Sequence, residues 1–190
     1  MADSMGRPYL SDYPEFDFNL SHTDGMSAVA VTRGVVGVDI ERLRDDIDAI
    51  NVAGRVLSAR ECATVLADVL PSKTPFFDYW TLKEAYAKAV GLGVRIPFKK
   101  IDVLLGQPMN ISLQDVNDDG EHWTFELHGC DEYRLAVAVR RQKIGNIAIQ
   151  TIEMNSKLEP QGQLAMALLR TTNPLNTRRS NRDERVQTCA

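Results

Sequence analysis

In an extended segment side chains alternate between two faces, so over Val35 to Glu41 the residues Val36, Val38 and Ile40 share one face while Asp39 and Glu41 share the other. Two carboxylates are thereby aimed at one place. Further along, Trp80, Glu84 and Lys88 recur at intervals of four, which on a helix stacks them on one face, with Lys83 beside them. Each half alone has an ordinary reading: a solvated acidic strand, and a surface Glu-to-Lys pair of roughly 0.2–0.5 kcal/mol. Those readings leave the combination unexplained, together with the Ser21-His22 pair upstream. A hard cation wants several oxygen ligands, and Mg²⁺ typically takes one or a few carboxylates together with phosphate oxygens and water.

Certain elements must position these groups. Apolar runs at 18–22 and 27–32, separated by Thr23, Asp24 and Gly25, read as two strands around a turn, and Val35 to Glu41 follows Arg33-Gly34 as a third. The first 41 residues therefore read as a small antiparallel sheet. Ser58-Ala59-Arg60-Glu61 has the form of a capping box and predicts a helix ending before Pro71. Thr74 followed by Pro75, with Gly91 and Gly93 as stops, predicts a longer helix over about 75–90 that carries Glu84 and Lys88. Four β-prone runs follow from Ile101 (IDVLL, MNISL, HWTFEL, RLAVAV), read as a meander against that helix, with Asn117 to Gly120 as a solvated turn. Gln163 to Arg170 reads as a short helix, and 171–190, polar and arginine-rich, as disordered.

Composition narrows the function classes. The 190 residues carry a net charge of −4, so no global basic field attracts nucleic acid or anionic lipid. No run approaches the roughly 18–20 apolar residues of a membrane span, and Met-Ala-Asp-Ser-Met lacks the regions of a signal peptide, so a cytoplasmic location is expected. Cys62, Cys130 and Cys189 are far apart and form no C-x-x-C pair, which predicts reduced thiols rather than a disulfide framework or a zinc site.

Four segments, in this order and spacing, resemble the motifs of the 4'-phosphopantetheinyl transferases of the larger, surfactin-synthetase-activating type. They are Gly6-Arg7-Pro8-Tyr9, Phe18-Asn19-Leu20-Ser21-His22-Thr23, Gly37-Val38-Asp39-Ile40-Glu41, and Trp80-Thr81-Leu82-Lys83-Glu84-Ala85-Tyr86-Ala87-Lys88. The resemblance covers roughly residues 6–140. It implies transfer of phosphopantetheine from coenzyme A to a serine of an apo acyl or peptidyl carrier protein, releasing adenosine 3',5'-bisphosphate. Asp39, Glu41 and Glu84 match the family's Mg²⁺ ligands. Glu84, or a metal-bound water held by Glu41, would take the serine proton, and Lys88 would neutralise charge on the pyrophosphate and its leaving group. Arg7 and His22 match positions that bind the 3'-phosphate of coenzyme A, with Ser21 alongside and Lys83 also counted among the coenzyme A contacts. Fatty-acid, polyketide and peptide carriers all remain open as partners.

The resemblance also implies an α+β fold of two similar lobes, of which this chain holds one nearly complete. Residues 1–36 are expected to be a remnant of the first lobe, 37–142 the second lobe with an antiparallel sheet, and 143–190 a largely disordered extension. The helices and strands that the family places upstream of Gly6 are missing, and truncation is the favoured explanation. Two others compete: a homo-oligomer that replaces the lost lobe, as in the small trimeric relatives, or a non-catalytic remnant that binds coenzyme A or a carrier protein.

Overall fold

The structure is a computed structural model that describes residues 1, 6–44, 48–67, 74–113, 123–140, 148–163 and 166–172. Strands β1 (Asp17–Thr23) and β2 (Met26–Thr32) form the expected hairpin. Gly25 makes its tight turn with φ of 81°, and a Cβ there would meet the Tyr133 hydroxyl at 2.7 Å, so glycine is required on both counts. Strand β3 (Val35–Arg42) does not join this hairpin sheet, contrary to the expected small antiparallel sheet. It pairs instead with the distant strand over Tyr133–Arg140.

Helix α1 (Ala49–Val56), which the spacing and cap signals of the sequence do not predict, leads into α2 (Ala59–Leu66). The capping box at Ser58 is formed as expected, the Ser58 side chain taking the Glu61 N–H and the Glu61 side chain taking the Ser58 N–H. Helix α3 (Thr74–Ala89) matches the predicted long helix to within a residue. Phe76, Phe77, Tyr79, Leu82, Ala85, Tyr86, Ala87 and Ala89 are all buried, so apolar residues occur around its whole circumference, as expected of a helix enclosed by other elements.

Strands β4 (Ile101–Leu104) and β5 (Asn110–Leu113) form a separate hairpin, while β6 (Trp123–Gly129) and β7 (Tyr133–Arg140) enter the main sheet. The four runs are therefore not one meander. The reason lies at β4, whose Val103 N–H donates to Glu61 Oε1 at 2.7 Å and so is held on α2. The turn expected at Asn117 to Gly120 lies outside the described residues.

Strands β8 (Ile152–Met154), β9 (Pro160–Gln163) and β10 (Ala167–Thr171) lie in the segment expected to be a disordered extension. Strand β10 completes an antiparallel sheet of order β10-β6-β7-β3. The predicted helix over Gln163 to Arg170 is thus incorrect: pairing with the outer edge of β6 overrides the helical preference of its Ala and Leu residues. The sheet consequently extends past the boundary expected at 142/143. Residues 173–190 lie outside the described residues.

The sheet has two packed faces. Trp123, Phe125, Leu127, Ala136 and Ala138 pack with α3, where Tyr86 meets Trp123 edge-on with ring centroids 5.0 Å apart. Val36, Val38, Ile40, Leu135, Val137 and Val139 form the other core, against Met26, Ala28 and Ala30 of β2. This is the α+β architecture expected. Cys62 is a free thiol, but Cys130 is disulfide-bonded, which corrects the expectation of three reduced thiols: a disulfide needs no C-x-x-C pair.

Candidate active site at the β3 edge and the α3 face

Strand β3 ends the four-stranded order, so one row of its N–H groups faces away from β7. Strand β1 runs beside that row in the same direction but supplies side chains in place of backbone. Asp17 Oδ2 accepts from Val36 N–H, Asn19 Oδ1 from Val38, Ser21 Oγ from Ile40 and Thr23 Oγ1 from Arg42, at 2.8, 3.1, 3.3 and 3.2 Å. Each partner lies 19 positions further along the chain. The period of two along both strands makes the ladder possible: every second residue of β1 is a short polar acceptor, and every second N–H of β3 is unpaired by the sheet. An edge that would otherwise be open is closed in this way.

On the other side β3 touches α3 almost backbone to backbone. A Cβ at Gly37 would lie 1.9 Å from Ala85 O and 2.5 Å from Ala89 N. Only glycine fits there, and the contact sets how far Asp39 and Glu41 stand from the helix that carries Glu84 and Lys88.

Asp39 is buried, its side chain 5% exposed, and its two oxygens differ. Oδ1 accepts from Lys88 Nζ at 2.6 Å and from Ser21 Oγ at 2.9 Å. Oδ2 is buried without a hydrogen-bond partner. Leaving a buried oxygen unpaired costs free energy, so a site that retains one is a candidate for a missing ligand. Glu41 Oε1 accepts from Trp80 Nε1 at 2.9 Å, which ties the strand carboxylate to the helix.

Burial raises the pKa of all three carboxyls. For Asp39 desolvation outweighs the opposing pull of Lys88, and for Glu41 it outweighs the Trp80 hydrogen bond. Glu84 is pushed up to about 7, first by burial and then by the charge of Asp39, with Glu41 adding less and Lys88 opposing. The three carboxylates therefore act on one another. Among the described residues no three Asp, Glu, His or Cys side chains are gathered closely enough to hold a cation as they stand. Lys88 already occupies Asp39 Oδ1.

The remaining predicted residues are placed elsewhere. Lys83 is fully buried and its ammonium donates to Glu61 Oε2 at 2.5 Å, Phe98 O at 3.0 Å and Val56 O at 3.2 Å. All three protons are committed, so the structure gives Lys83 a role in holding α3 to its neighbours and not in contacting coenzyme A. Arg7 donates from Nη2 to Asp17 Oδ2 at 2.5 Å and Val36 O at 3.0 Å, and from Nη1 to Ala89 O at 2.5 Å. It braces the end of α3 against the start of β3. His22 is exposed, and alternation along β1 turns it to the face opposite Ser21. So Asp39, Glu41, Glu84, Lys88 and Ser21 come together, and Lys83, Arg7 and His22 do not join them.

The profile of the 4'-phosphopantetheinyl transferase superfamily matches residues 35–138, the span that holds β3 and α3. The chain belongs to that superfamily. A 4'-phosphopantetheinyl transferase of Bacillus subtilis is 30% identical over 138 residues, which is 72% of this chain and 60% of the relative. The 4'-phosphopantetheinyl transferase Sfp of Bacillus subtilis strain 168 is 29% identical over 114 residues, 60% of this chain and 50% of that protein. Relatives of the surfactin-synthetase type are thus as the motifs implied, and this transferase-superfamily chain spans between half and 60% of their length. The crystal structure of Thermotoga maritima holo-[acyl-carrier-protein] synthase aligns with 66% of this chain and 71% of that one, at 19% identity and a TM-score of 0.47, a likeness too loose to argue from.

Proposed function

We propose that this chain transfers 4'-phosphopantetheine from coenzyme A to a serine hydroxyl of an apo carrier protein, with Mg²⁺ held by Asp39, Glu41 and Glu84. The observation that carries the reading is the buried, unpaired Oδ2 of Asp39 beside two carboxyls whose pKa values it helps to raise. An oxygen-only set of this kind suits a hard divalent cation. When bound, Mg²⁺ supplies charge neutralisation on the pyrophosphate of coenzyme A.

The chain's own residues do the rest. Glu84 takes the serine proton; in the metal-free fold, burial and the charge of Asp39 push its pKa up to about 7. The serine oxygen forms a bond to the β-phosphorus while the bond to the departing adenosine 3',5'-bisphosphate breaks in line, and the proton moves to Glu84. Lys88, 28% exposed, retains access to solvent and neutralises charge on the leaving group. His22, exposed on β1, contacts the 3'-phosphate, whereas Arg7 reaches a phosphate only by giving up Asp17. Among the described residues no helix is long and apolar enough to cross a membrane, and we place the reaction in the cytoplasm.

The test is to mix the chain with Mg²⁺, coenzyme A and an apo carrier protein and to weigh the carrier. A mass gain of one phosphopantetheine, lost on chelation, is expected. Coenzyme A binding with no mass gain would support the non-catalytic reading instead.

A further inference from the structure

The hydroxyl of Ser21 has one proton to donate and two lone pairs to accept with, and the structure uses all three. It donates to Asp39 Oδ1 at 2.9 Å and accepts from Lys88 Nζ at 2.7 Å and from Ile40 N–H at 3.3 Å. Ser21 is itself 5% exposed. A hydroxyl so engaged has nothing left for a phosphate, which departs from the role that motif matching gives this residue. Its contacts all converge on one outcome: Asp39 is held so that Oδ1 is taken and Oδ2 is left over.

We infer that Ser21 is a positioning residue, which fixes the Asp39 carboxylate through the β1–β3 ladder so that Oδ2 is the oxygen presented to the cation. This rests on the metal reading above. The ladder is what lets one hydroxyl do this. Asn19 and Thr23 make the neighbouring rungs to Val38 and Arg42, so β1 cannot slide along β3 without breaking several bonds together. With β1 fixed on either side, Ser21 sits at a set height opposite Asp39. The next rung, Thr23, makes the same bond to backbone from a hydroxyl with an added methyl, so threonine has the chemistry to replace serine at position 21.

The asymmetry has a consequence for binding. A carboxylate free to rotate about its last bond would share Lys88 between both oxygens, and a cation would have to displace it. With Ser21 and Lys88 both on Oδ1, the cation meets an oxygen that has already lost its water and has no competing donor. Preorganisation of this kind acts on affinity.

The test is a Mn²⁺ titration followed by electron paramagnetic resonance, run with coenzyme A present, beside thermal melting. The set is wild type, Ser21→Ala, Ser21→Thr, Asn19→Ala and Asp39→Ala. Ser21→Ala is expected to weaken Mn²⁺ about tenfold or more, as loss of a group that orients a metal ligand does, Ser21→Thr to stay near wild type, and Asp39→Ala to abolish tight binding. Asn19→Ala removes one rung away from the carboxylate and leaves those of Asp17, Ser21 and Thr23, so it should lower the melting temperature as much as Ser21→Ala while weakening Mn²⁺ clearly less. Equal Mn²⁺ affinities for Ser21→Ala and Asn19→Ala would overturn the positioning role with the metal site intact. Equal affinities for wild type and Asp39→Ala would overturn the metal reading and this inference with it.

Discussion

Helix α3 carries two ammonium groups, five residues apart, and each meets a buried carboxylate. Around Lys83 everything is matched: its three protons reach Glu61, Val56 O and Phe98 O, and Glu61 in turn accepts from Ser58 N–H and Val103 N–H. Both side chains are 0% exposed. Around Lys88 the account does not close, because Asp39 keeps one buried oxygen without a partner and the neighbouring Glu84 is held near neutrality. The first pair joins α2, α3 and β4 into one body. The second is left unsatisfied, and a buried polar group without a partner calls for an explanation, which the proposed cation supplies. What differs is not the residue types but whether each lone pair and proton has been used.

The largest effect should follow from breaking the closed pair. Lys83→Met leaves Glu61 as an uncompensated buried charge, and losing one partner of such a pair costs about 3–5 kcal/mol. Denaturant unfolding would measure it. The folded fraction should still bind coenzyme A with wild-type affinity, because Lys83 has no free proton to offer a phosphate. A stability loss under about 1 kcal/mol, in the range of an exposed pair, would erase the distinction between the two clusters.

Breaking the open cluster should do the reverse. Asp39→Ala removes the unpaired oxygen, and Glu84→Ala removes the proton acceptor, so each should lower transfer by at least about 10²-fold, as loss of one active-site electrostatic contact does. Neither should lower the melting temperature as Lys83→Met does, since each deletes a carboxylate whose ionised form burial disfavours. Carrier mass analysis and a melting curve on the same samples check both halves. Turnover near wild type in either variant would remove that residue from the site.

A smaller effect separates Arg7 from His22. Loss of one charge-assisted hydrogen bond is worth about tenfold in affinity. His22→Ala should therefore weaken coenzyme A about tenfold and leave dephospho-coenzyme A unchanged. Arg7→Ala should lower stability and weaken both ligands alike, because its guanidinium is engaged by Asp17, Val36 and Ala89. Selective loss of coenzyme A binding in Arg7→Ala would show that it exchanges Asp17 for the 3'-phosphate.

Much of the open cluster is legible in the amino-acid order. Strand alternation puts Asp39 and Glu41 on the face that turns to α3, and helical spacing puts Trp80, Glu84 and Lys88 toward them, where the Trp80 bond to Glu41 joins the two sets. Hairpin and helix boundaries near Gly25, Ser58 and Thr74 follow from local turn and cap chemistry. Partners from distant segments are another matter. That β3 takes β7 and leaves its edge to the side chains of β1 depends on tertiary choice, as does β10 joining β6. Lys83 and Glu84 are adjacent and both charged, and only packing shows that one is closed off while the other faces the site. The signal available for Ser21 is its period: Asp17, Asn19, Ser21 and Thr23 are all short polar acceptors at alternate positions.

The smallest expected effect is on pH dependence, and its sign distinguishes the clusters most directly. Glu84 has an ordinary value of 4.5 that rises to about 7 in the fold, through burial first and the charges of Asp39 and Glu41 after it. Between those values the folded protein binds a proton that the unfolded chain has released, so folding is favoured below about 4.5 and that contribution is lost as pH rises through about 7. Asp39 and Glu41, raised in the same direction, add to the same slope. Metal-free protein should therefore melt at progressively lower temperature from about pH 5 to about pH 8, against the common pattern in which paired carboxylates make proteins more stable as acid is removed. Glu84→Gln, which stays neutral throughout, should flatten the slope. Mg²⁺ with coenzyme A should raise the melting temperature above about pH 7 far more than below about pH 5, because a cation competes with the proton for the same oxygens. Melting curves across this range, with and without the ligands, decide it: a wild-type slope that Glu84→Gln leaves unchanged would mean that the open cluster does not hold its proton near neutrality, and that Glu84 is not the base.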